Sequence, residues 1–127
     1  MDVLTILRED YARFPREQTY SIYAQNVWFK DPINQFRGVD RYRRMIDFIE
    51  ARFIDVELVL HHIERIDDQI NTRWTLSWTA PLFWKPRLSI PGWSELKLNS
   101  NQLIESHVDY WSCTKFDVVK QLFKVTP

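Results

Sequence analysis

A histidine and an acidic side chain with spacing suited to proton transfer occur near the end of this sequence. His107 and Asp109 lie two residues apart in the segment 103–112, which is predicted to be a strand joined to the strand before it by the polar turn 99–102. Side chains at positions i and i+2 share a face of a strand, so the imidazole and the carboxylate point the same way. They stand ~6–7 Å apart along the strand, and a half-exposed polar face explains them as readily as an acid–base pair.

The sequence predicts no metal site. His61 and His62 are adjacent in a predicted strand and therefore point to opposite faces, so they cannot bind one metal ion together. One cysteine, Cys113, and three histidines in all provide no set of ligands with the spacing of a zinc site. We expect no metal and no cofactor.

Basic residues occur beside aromatic ones at one edge of the predicted sheet. Lys85 and Arg87 flank a proline and follow Phe83 and Trp84, a combination that could grip an anionic group or an acidic loop of a partner. A solvated edge that charge and proline protect from aggregation is the simpler interpretation. Arg73 lies on the polar face of a neighbouring strand, where it meets solvent or a dimer partner.

Hydrophobic spacing predicts that helices come first along the chain. A first helix begins after Asp2, a good N-cap residue, and ends before Pro15. A second, shorter helix is expected near 17–25. A third, over 41–53 with Asp40 as its cap, carries a clear apolar stripe.

After residue 53 the hydrophobic period changes to two. The clearest strand is 70–80, because apolar and polar residues alternate strictly along it. Residues 81–91 contain three prolines and predict an irregular segment or an edge, and Thr114 can cap a last helix. The predicted strands are 27–31, 55–66, 70–80, 93–98 and 103–112. Helices followed by antiparallel strands are typical of an α+β domain.

Length and composition exclude several classes of protein. The chain has 127 residues, 15% of them aromatic, and only two glycines, which is not a disordered composition. Its 17 basic and 17 acidic residues balance, so global charge favours neither a nucleic acid nor an acidic membrane. No apolar run approaches the ~20 residues that span a bilayer, no secretory signal is visible, and a single cysteine suits a reducing compartment. We expect one cytoplasmic domain over residues 1–127, with no nucleic-acid or membrane partner.

The order of elements resembles the NTF2-like superfamily, a cone-shaped, cystatin-like α+β fold that includes ketosteroid isomerase, scytalone dehydratase and the SnoaL-like polyketide cyclases. The motif Phe29-Lys30-Asp31-Pro32, followed by Gly38 and an amphipathic helix, carries this resemblance. The resemblance implies N-terminal helices packed on a curved, mixed and mainly antiparallel sheet. Within the superfamily the chain most resembles DUF2358, an uncharacterised family of cyanobacteria and chloroplasts, in four stretches: Phe29 to Tyr42, Arg73-Trp74, Gly92 to Asn99 and His107 to Asp109.

The resemblance also implies roles for single residues. Asp31 matches by position the general base of the ketosteroid isomerases, and Tyr11 lies near their oxyanion-stabilising tyrosine. His107 with Asp109 is similar to the His–Asp pair of scytalone dehydratase. An aspartate before proline also stabilises a turn through its own backbone, which is the alternative for Asp31. Ser94 stands where the isomerases have a protonated aspartate, so steroid-type isomerisation is not expected.

In this fold the sheet and the helices enclose a cavity that aromatic residues either line or fill. The leading prediction is a small hydrophobic or partly anionic ligand in that cavity, with homodimerisation through the polar face of the sheet. One alternative is a cofactor-independent lyase, isomerase, dehydratase or cyclase that uses Asp31 as general base and Tyr11 or His107 as proton donor. The other is a protein-interaction module whose pocket is filled. Ligand contacts are expected from Trp28, Phe29, Trp74, Trp78, Ser94 and Asp109.

Overall fold

One six-stranded sheet forms the frame of the protein, and helices cover its inner face. The computed structural model describes residues 2–123. The helices are α1 (Val3–Arg13), α2 (Val39–Arg52) and α3 (Lys115–Gln121). The strands are β1 (Tyr23–Lys30), β2 (Gln35–Arg37), β3 (Ile54–Ile66), β4 (Gln69–Thr79), β5 (Arg87–Leu98) and β6 (Ile104–Trp111). Their order is β2-β1-β6-β5-β4-β3, with β1 and β6 parallel and all other neighbours antiparallel, which confirms the predicted α+β class.

Helix α1 follows the prediction. The carboxylate of Asp2 accepts a hydrogen bond from the N–H of Thr5 at 2.9 Å, which satisfies one of the free donors at the start of the helix. The helix ends at Arg13, with Phe14 as its C-cap before the proline that follows. Its apolar stripe buries Leu7 and Tyr11, and the helix packs on β3.

Helix α2 begins two residues earlier than predicted. Its N-cap is Gly38 rather than Asp40, and the φ of Gly38 is +117°, a conformation that residues with a side chain rarely adopt. Asp40 lies in the first turn of the helix, where its charge suits the positive end of the helix dipole. Tyr42 and Ile46 are buried on the side that faces β1.

The prediction of a short helix near 17–25 is wrong. Tyr20–Ile22 form a single 3₁₀ turn, and strand β1 begins at Tyr23, four residues before its predicted start. Tertiary pairing explains the difference, because β1 hydrogen-bonds to β2 on one side and to the distant β6 on the other. The three-residue strand β2 was not predicted.

Strand β4 has the predicted alternation, since its even-numbered residues face the helices and Arg73 is exposed. The prediction for 81–91 is partly wrong, because β5 begins at Arg87 and pairs with β4 along its whole length. Pro91 is tolerated in this strand for a geometric reason. The carbonyl of Pro91 accepts the N–H of Ser112, so the nitrogen of Pro91 also points to the β6 side of the strand. The last residue pair between β5 and β6 is Gly92 with Trp111, so this nitrogen lies beyond the paired part of β6.

Helix α3 has the predicted cap and a specific attachment to the sheet. The hydroxyl of Thr114 accepts the N–H of Asp117 at 3.0 Å, and the carboxylate of Asp117 accepts the N–H of Thr114 at 2.9 Å. The amide side chain of Gln121 hydrogen-bonds both backbone groups of Ser89, on the part of β5 that β6 does not cover. Among residues 2–123, no helix is long and apolar enough to cross a membrane.

Candidate functional site

A cavity of about 400 Å³ lies between the helices and the inner face of the sheet. Trp28, a predicted contact residue, is not at this cavity. It lies on the outer face of β1, with the guanidinium carbon of Arg37 5.4 Å from its ring centre, because successive residues of a strand point to opposite faces. The other eight predicted site residues all line the cavity: Tyr11, Phe29, Asp31, Trp74, Trp78, Ser94, His107 and Asp109.

Four of these side chains form a hydrogen-bonded chain across β4, β5 and β6. The indole nitrogen of Trp74 donates to the hydroxyl of Ser94 at 2.8 Å, and that hydroxyl donates to Oδ1 of Asp109 at 2.5 Å. Nε2 of His107 lies 2.8 Å from the same carboxylate oxygen, so the carboxylate holds a proton on Nε2. Within residues 2–123, no donor bonds the second oxygen of Asp109, Oδ2.

Aromatic rings enclose the imidazole of His107. The ring centres of Tyr23, Phe29 and Tyr42 lie 6.1, 5.1 and 5.6 Å from it. The hydroxyl of Tyr23 is 3.4 Å from Nδ1 of His107 and 3.4 Å from the hydroxyl of Tyr42. His107 is therefore buried in a mainly apolar surrounding with its polar contacts at both ring nitrogens.

Three buried tyrosine hydroxyls keep their protons in this environment. Burial raises the pKa of Tyr11, Tyr23 and Tyr42, and the negative charge of Asp109 raises each pKa further. The hydroxyl of Tyr11 lies 3.0 Å from the hydroxyl of Thr72 on β4, so α1 and the sheet are joined at the cavity. Each hydroxyl can therefore donate a hydrogen bond at neutral pH.

Asp31 stands at the edge of the cavity with its carboxylate bound to its own turn. Oδ1 accepts the backbone N–H groups of Ile33 at 2.9 Å and of Asn34 at 2.5 Å. Oδ2 accepts the side-chain amide of Asn34 at 3.1 Å. This is the turn-stabilising arrangement that an aspartate before proline predicts, and its oxygens are less free to act on a ligand than those of Asp109.

Asp10 is a cavity residue that the sequence analysis missed. Its buried carboxylate accepts hydrogen bonds from Arg13 at 2.7 Å and from both the N–H and the hydroxyl of Thr19, at 3.0 and 2.9 Å. These bonds join the end of α1 to the segment before β1 and satisfy the buried charge. The sequence did carry a signal, because position 10 falls on the apolar stripe with Leu7 and Tyr11 and has an arginine three residues later.

The charged lining of the cavity is acidic. Asp10, Asp31 and Asp109 line it, and no lysine or arginine in the described part of the chain does. Asp10 and Asp31 are satisfied by protein donors, so Asp109 carries the open acceptor. These charges favour a neutral or cationic group and do not support the expected partly anionic ligand. Residues 2–123 contain no group of three His, Cys, Asp or Glu placed to hold a metal ion.

Comparison with solved structures finds the same fold in bacterial proteins. An NTF2-like protein of unknown function from Burkholderia pseudomallei has a TM-score of 0.76 at 14% identity, over 95% of this chain and 97% of that one. A hypothetical protein with a ketosteroid isomerase-like fold from Catenulispora acidiphila, in complex with trimethylamine, scores 0.73 at 14% identity, over 98% and 96%. A putative SnoaL-like polyketide cyclase from Shewanella denitrificans scores 0.70 at 18% identity, over 97% and 98%.

Sequence comparison gives the family. No curated protein matches the chain. The sequence profile described as "Uncharacterized conserved protein (DUF2358)" matches residues 1–107. The structural neighbours are too distant in sequence to show more than the fold, which is NTF2-like as the motifs predicted. The chain belongs to the uncharacterised conserved protein family DUF2358.

Proposed function

We propose that the protein binds a small, mainly apolar molecule whose polar group donates a hydrogen bond to Asp109. The observation that carries the proposal is the carboxylate of Asp109, a residue of the aromatic cavity lining, whose second oxygen has no donor among residues 2–123. Ser94 and His107 hold the other oxygen, so the carboxylate is fixed in place before a ligand arrives. Among the described residues no side-chain polar atom is both buried and without a partner, so the second oxygen of Asp109 is accessible, and a hydrogen bond donated to this charged group strengthens the binding of a ligand.

The cavity charges restrict the polar group of the ligand. Asp10, Asp31 and Asp109 are the acidic residues of the described lining, which offers no lysine or arginine to balance them. A hydroxyl or an ammonium group suits this site, whereas a carboxylate is repelled. The Catenulispora protein, whose fold is similar, was solved with trimethylamine, an amine, which supports the same preference.

Three matched probes test the proposal by titration calorimetry: 2-naphthol, naphthalene and 2-naphthoate. We expect 2-naphthol to bind about tenfold or more tightly than naphthalene, because a hydrogen bond to a charged group contributes about 1.5–3 kcal/mol. Naphthoate should bind least. Asp109→Asn should remove most of the advantage of 2-naphthol, while Asp68→Asn, a change at an exposed turn residue, should leave it intact. Tight binding of 2-naphthoate, or no binding of any probe, would refute the proposal.

Proton transfer is a second candidate function, and the His107–Asp109 pair is the observation that favours it. The free oxygen of Asp109 is placed to accept a proton from a bound molecule, while His107 and Ser94 stabilise the carboxylate. In this candidate Asp109 takes the role that the sequence analysis gave to Asp31, whose oxygens are bound to its turn. The reaction class remains that of a cofactor-independent isomerase, lyase or cyclase.

The ring opening of 5-nitrobenzisoxazole tests this candidate, because it requires a base to take one carbon-bound proton while the N–O bond breaks. We expect Asp109→Asn to lower the rate about a hundredfold, the lower end of what a positioned base contributes. Asp31→Asn, with an unchanged circular dichroism spectrum, should lower it far less. A larger loss of rate in Asp31→Asn than in Asp109→Asn would make Asp31 the base. A reaction no faster with the wild-type protein than with acetate as the base would exclude proton transfer at this site.

We also propose that the outer face of the sheet pairs with a second copy of the chain. Arg73, Trp93 and Tyr110 form a row of neighbours across β4, β5 and β6 on this face. The rings of Trp93 and Tyr110 are stacked with centres 5.1 Å apart and remain partly exposed. A second sheet would cover these rings and the exposed Val59 on β3.

A further inference from the structure

Polar side chains of the cavity lie together at one level of the sheet. Ser94 of β5 pairs with Asp109 of β6 and with Thr72 of β4, so the three form one row across the inner face. The hydroxyl of Tyr11 reaches this row at Thr72. His107 lies one row further toward the start of β6. We call this part of the cavity the polar pole; its lining residues are Tyr11, Tyr23, Tyr42, Ser94, His107 and Asp109.

In the other direction along the strands, the inner face is apolar. The next row contains Trp74, Gly92 and Trp111, and the row after it contains Leu76 and Ile90. The ring of Trp74 lies over Gly92, where a Cβ atom would be 2.7 Å from it. All of these residues except Gly92 line the same cavity as the polar pole. The cavity therefore continues from Asp109 over a floor of apolar side chains.

Two half-buried side chains from neighbouring elements cover this floor. Leu58 of β3 pairs with Leu76 and lines the cavity. Val118 of α3 lines it as well, and Gln121, three residues later on the same side of the helix, bonds to Ser89 of β5. Both covering side chains are aliphatic, so neither offers a hydrogen bond to a molecule that lies between them and the sheet.

A pair of stacked rings lies at the far end of the apolar floor. Trp78 is one row beyond Leu76 on β4, and its ring is stacked on that of Phe53 with the ring centres 4.6 Å apart. Both rings line the cavity. We call this stack the apolar pole, because Trp78 is the lining residue of β4 that lies farthest from the polar pole.

The separation of the two poles sets the length of a molecule that fills the cavity. From Ser94 to Ile90, the last floor residue before the apolar pole, β5 extends by four residues, which is about 13 Å. Three bonds of an extended chain span about 3.3–3.6 Å, so about eleven bonds reach from one pole to the other. A volume of about 400 Å³ that extends over this length leaves a narrow cavity.

The polar lining residues outside the polar pole are bonded to the protein. The carboxylate of Asp10 accepts three hydrogen bonds, and the side-chain amide of Gln18 donates to two backbone carbonyls. The side-chain amide of Asn34 donates to the carboxylate of Asp31. Hydrogen bonding to a ligand is therefore concentrated at the polar pole.

We propose that the ligand is an elongated amphiphile with a single polar group, a hydroxyl or an ammonium, at one end. It lies along β4 and β5, with its polar group at Asp109 and its apolar end at Phe53 and Trp78. The inference rests on the proposed function, from which it takes the contact at Asp109. A second polar group in the middle of the molecule would lie against aliphatic side chains without a hydrogen-bond partner, which costs free energy.

A series of linear alcohols tests the length of the ligand by titration calorimetry: 1-hexanol, 1-octanol, 1-decanol and 1-dodecanol. We expect the affinity to rise about fourfold for each methylene added up to 1-decanol, because each one leaves water for the apolar floor. 1-Dodecanol should gain little more, since its end meets the stacked rings. 1-Adamantanol, a compact alcohol with as many carbons as 1-decanol, should bind at least about tenfold more weakly because it covers less of the floor.

Two substitutions that narrow the cavity make this test specific. Val118→Phe and Leu58→Phe, on different elements, each place a ring beside the apolar floor, so the rise in affinity should end at a shorter alcohol than in the wild type. The matched controls Val119→Phe and Val59→Phe change the neighbouring exposed residues and should keep the wild-type limit. Circular dichroism shows whether each variant is folded.

Three results would each overturn the inference: no rise in affinity beyond 1-hexanol, tighter binding of 1-adamantanol than of 1-decanol, or the wild-type length limit in both narrowed variants. The advantage of 2-naphthol over naphthalene does not depend on the length of the cavity. If that advantage holds while the alcohols show no rise with length, the inference fails and the proposed function stands. If the alcohols show the length limit but decanoate binds as tightly as 1-decanol, the elongated shape is confirmed and the proposed function is refuted.

Discussion

The charge of Asp109 reaches beyond its own hydrogen bonds to the tyrosines around it. It raises the pKa of Tyr11, Tyr23 and Tyr42, for which burial is the larger cause. Each of these hydroxyls is more acidic in the unfolded chain, where water surrounds it. The cavity therefore couples the ionisation of the tyrosines to the stability of the fold.

Stability should fall steeply in alkali for this reason. Above about pH 10 the unfolded chain loses the protons of these three tyrosines while the folded protein keeps them, so the free energy of unfolding decreases as pH rises. The decrease is about 1.4 kcal/mol per pH unit for each tyrosine, and it ends when pH passes the raised pKa of the folded state. Urea unfolding at several pH values between about 8 and 11 measures it.

Variants separate this effect from general alkaline damage. Tyr23→Phe removes one of four tyrosine hydroxyls whose pKa is raised, Tyr20 being the fourth, and should reduce the slope by about a quarter. Tyr110→Phe, on the outer face of the sheet, serves as the matched control and should keep the wild-type slope. A free energy of unfolding that stays constant between about pH 10 and 11 would contradict the coupling.

Strand β5 holds the chain of hydrogen bonds in place through a close contact at Gly92. A Cβ atom at this position would meet the carbonyl oxygen of Tyr110 and would lie 2.7 Å from the ring of Trp74. Trp74 on β4 donates to Ser94, which follows Gly92 by two residues on β5. The ring of Trp74 therefore cannot move without disturbing the bond from Ser94 to Asp109. Both the site and the sheet therefore require a residue without a side chain at position 92.

Gly92→Ala should therefore destabilise the protein by about 1–3 kcal/mol, the usual cost of overpacking. It should also weaken 2-naphthol binding, because the displaced Trp74 pulls on Ser94. Denaturant unfolding and titration calorimetry measure the two effects. Pro91→Ala changes the neighbouring exposed residue and should alter neither by much. Wild-type stability of Gly92→Ala would show that the strands separate there without cost.

The outer face of the sheet is the surface through which the whole molecule would meet a second copy. Trp93 and Tyr110 lie on this face, on the side of the sheet opposite to the cavity. A dimer formed through the sheet therefore leaves the cavity accessible.

Sedimentation velocity should give twice the monomer mass of 15.5 kDa at micromolar protein. Trp93→Glu should dissociate the dimer, because it removes a large ring and places like charges opposite each other at the two-fold axis. Phe83→Glu, which replaces an exposed ring in the loop between β4 and β5, should remain dimeric. A wild-type mass near 15.5 kDa would refute dimerisation through the sheet.

Local pattern predicted those parts of the fold whose partners are close in sequence. Asp2 capped α1, Thr114 capped α3, and the strict alternation along β4 identified its inner face. Local pattern predicts a helix at Tyr23, whereas the structure has a strand there. This strand pairs in parallel with β6, about eighty residues away, and no local signal indicates so distant a partner. Arg87 was assigned to an irregular segment because prolines precede and follow it, although the geometry at the end of β6 tolerates Pro91.

The class of fold, the family resemblance and most of the residue types at the cavity follow from the amino-acid sequence alone. Which carboxylate is available depends on how the chain folds. Asp31 and Asp109 are both acidic residues on or beside strands, and their difference lies in the donors that folding brings to them. Asp31 binds backbone N–H groups of its own turn, whereas Asp109 meets Ser94 and His107 with one oxygen and has no donor to the other among residues 2–123. Hydrogen-bond partners distant in sequence set this difference, so residue type and spacing alone do not contain it.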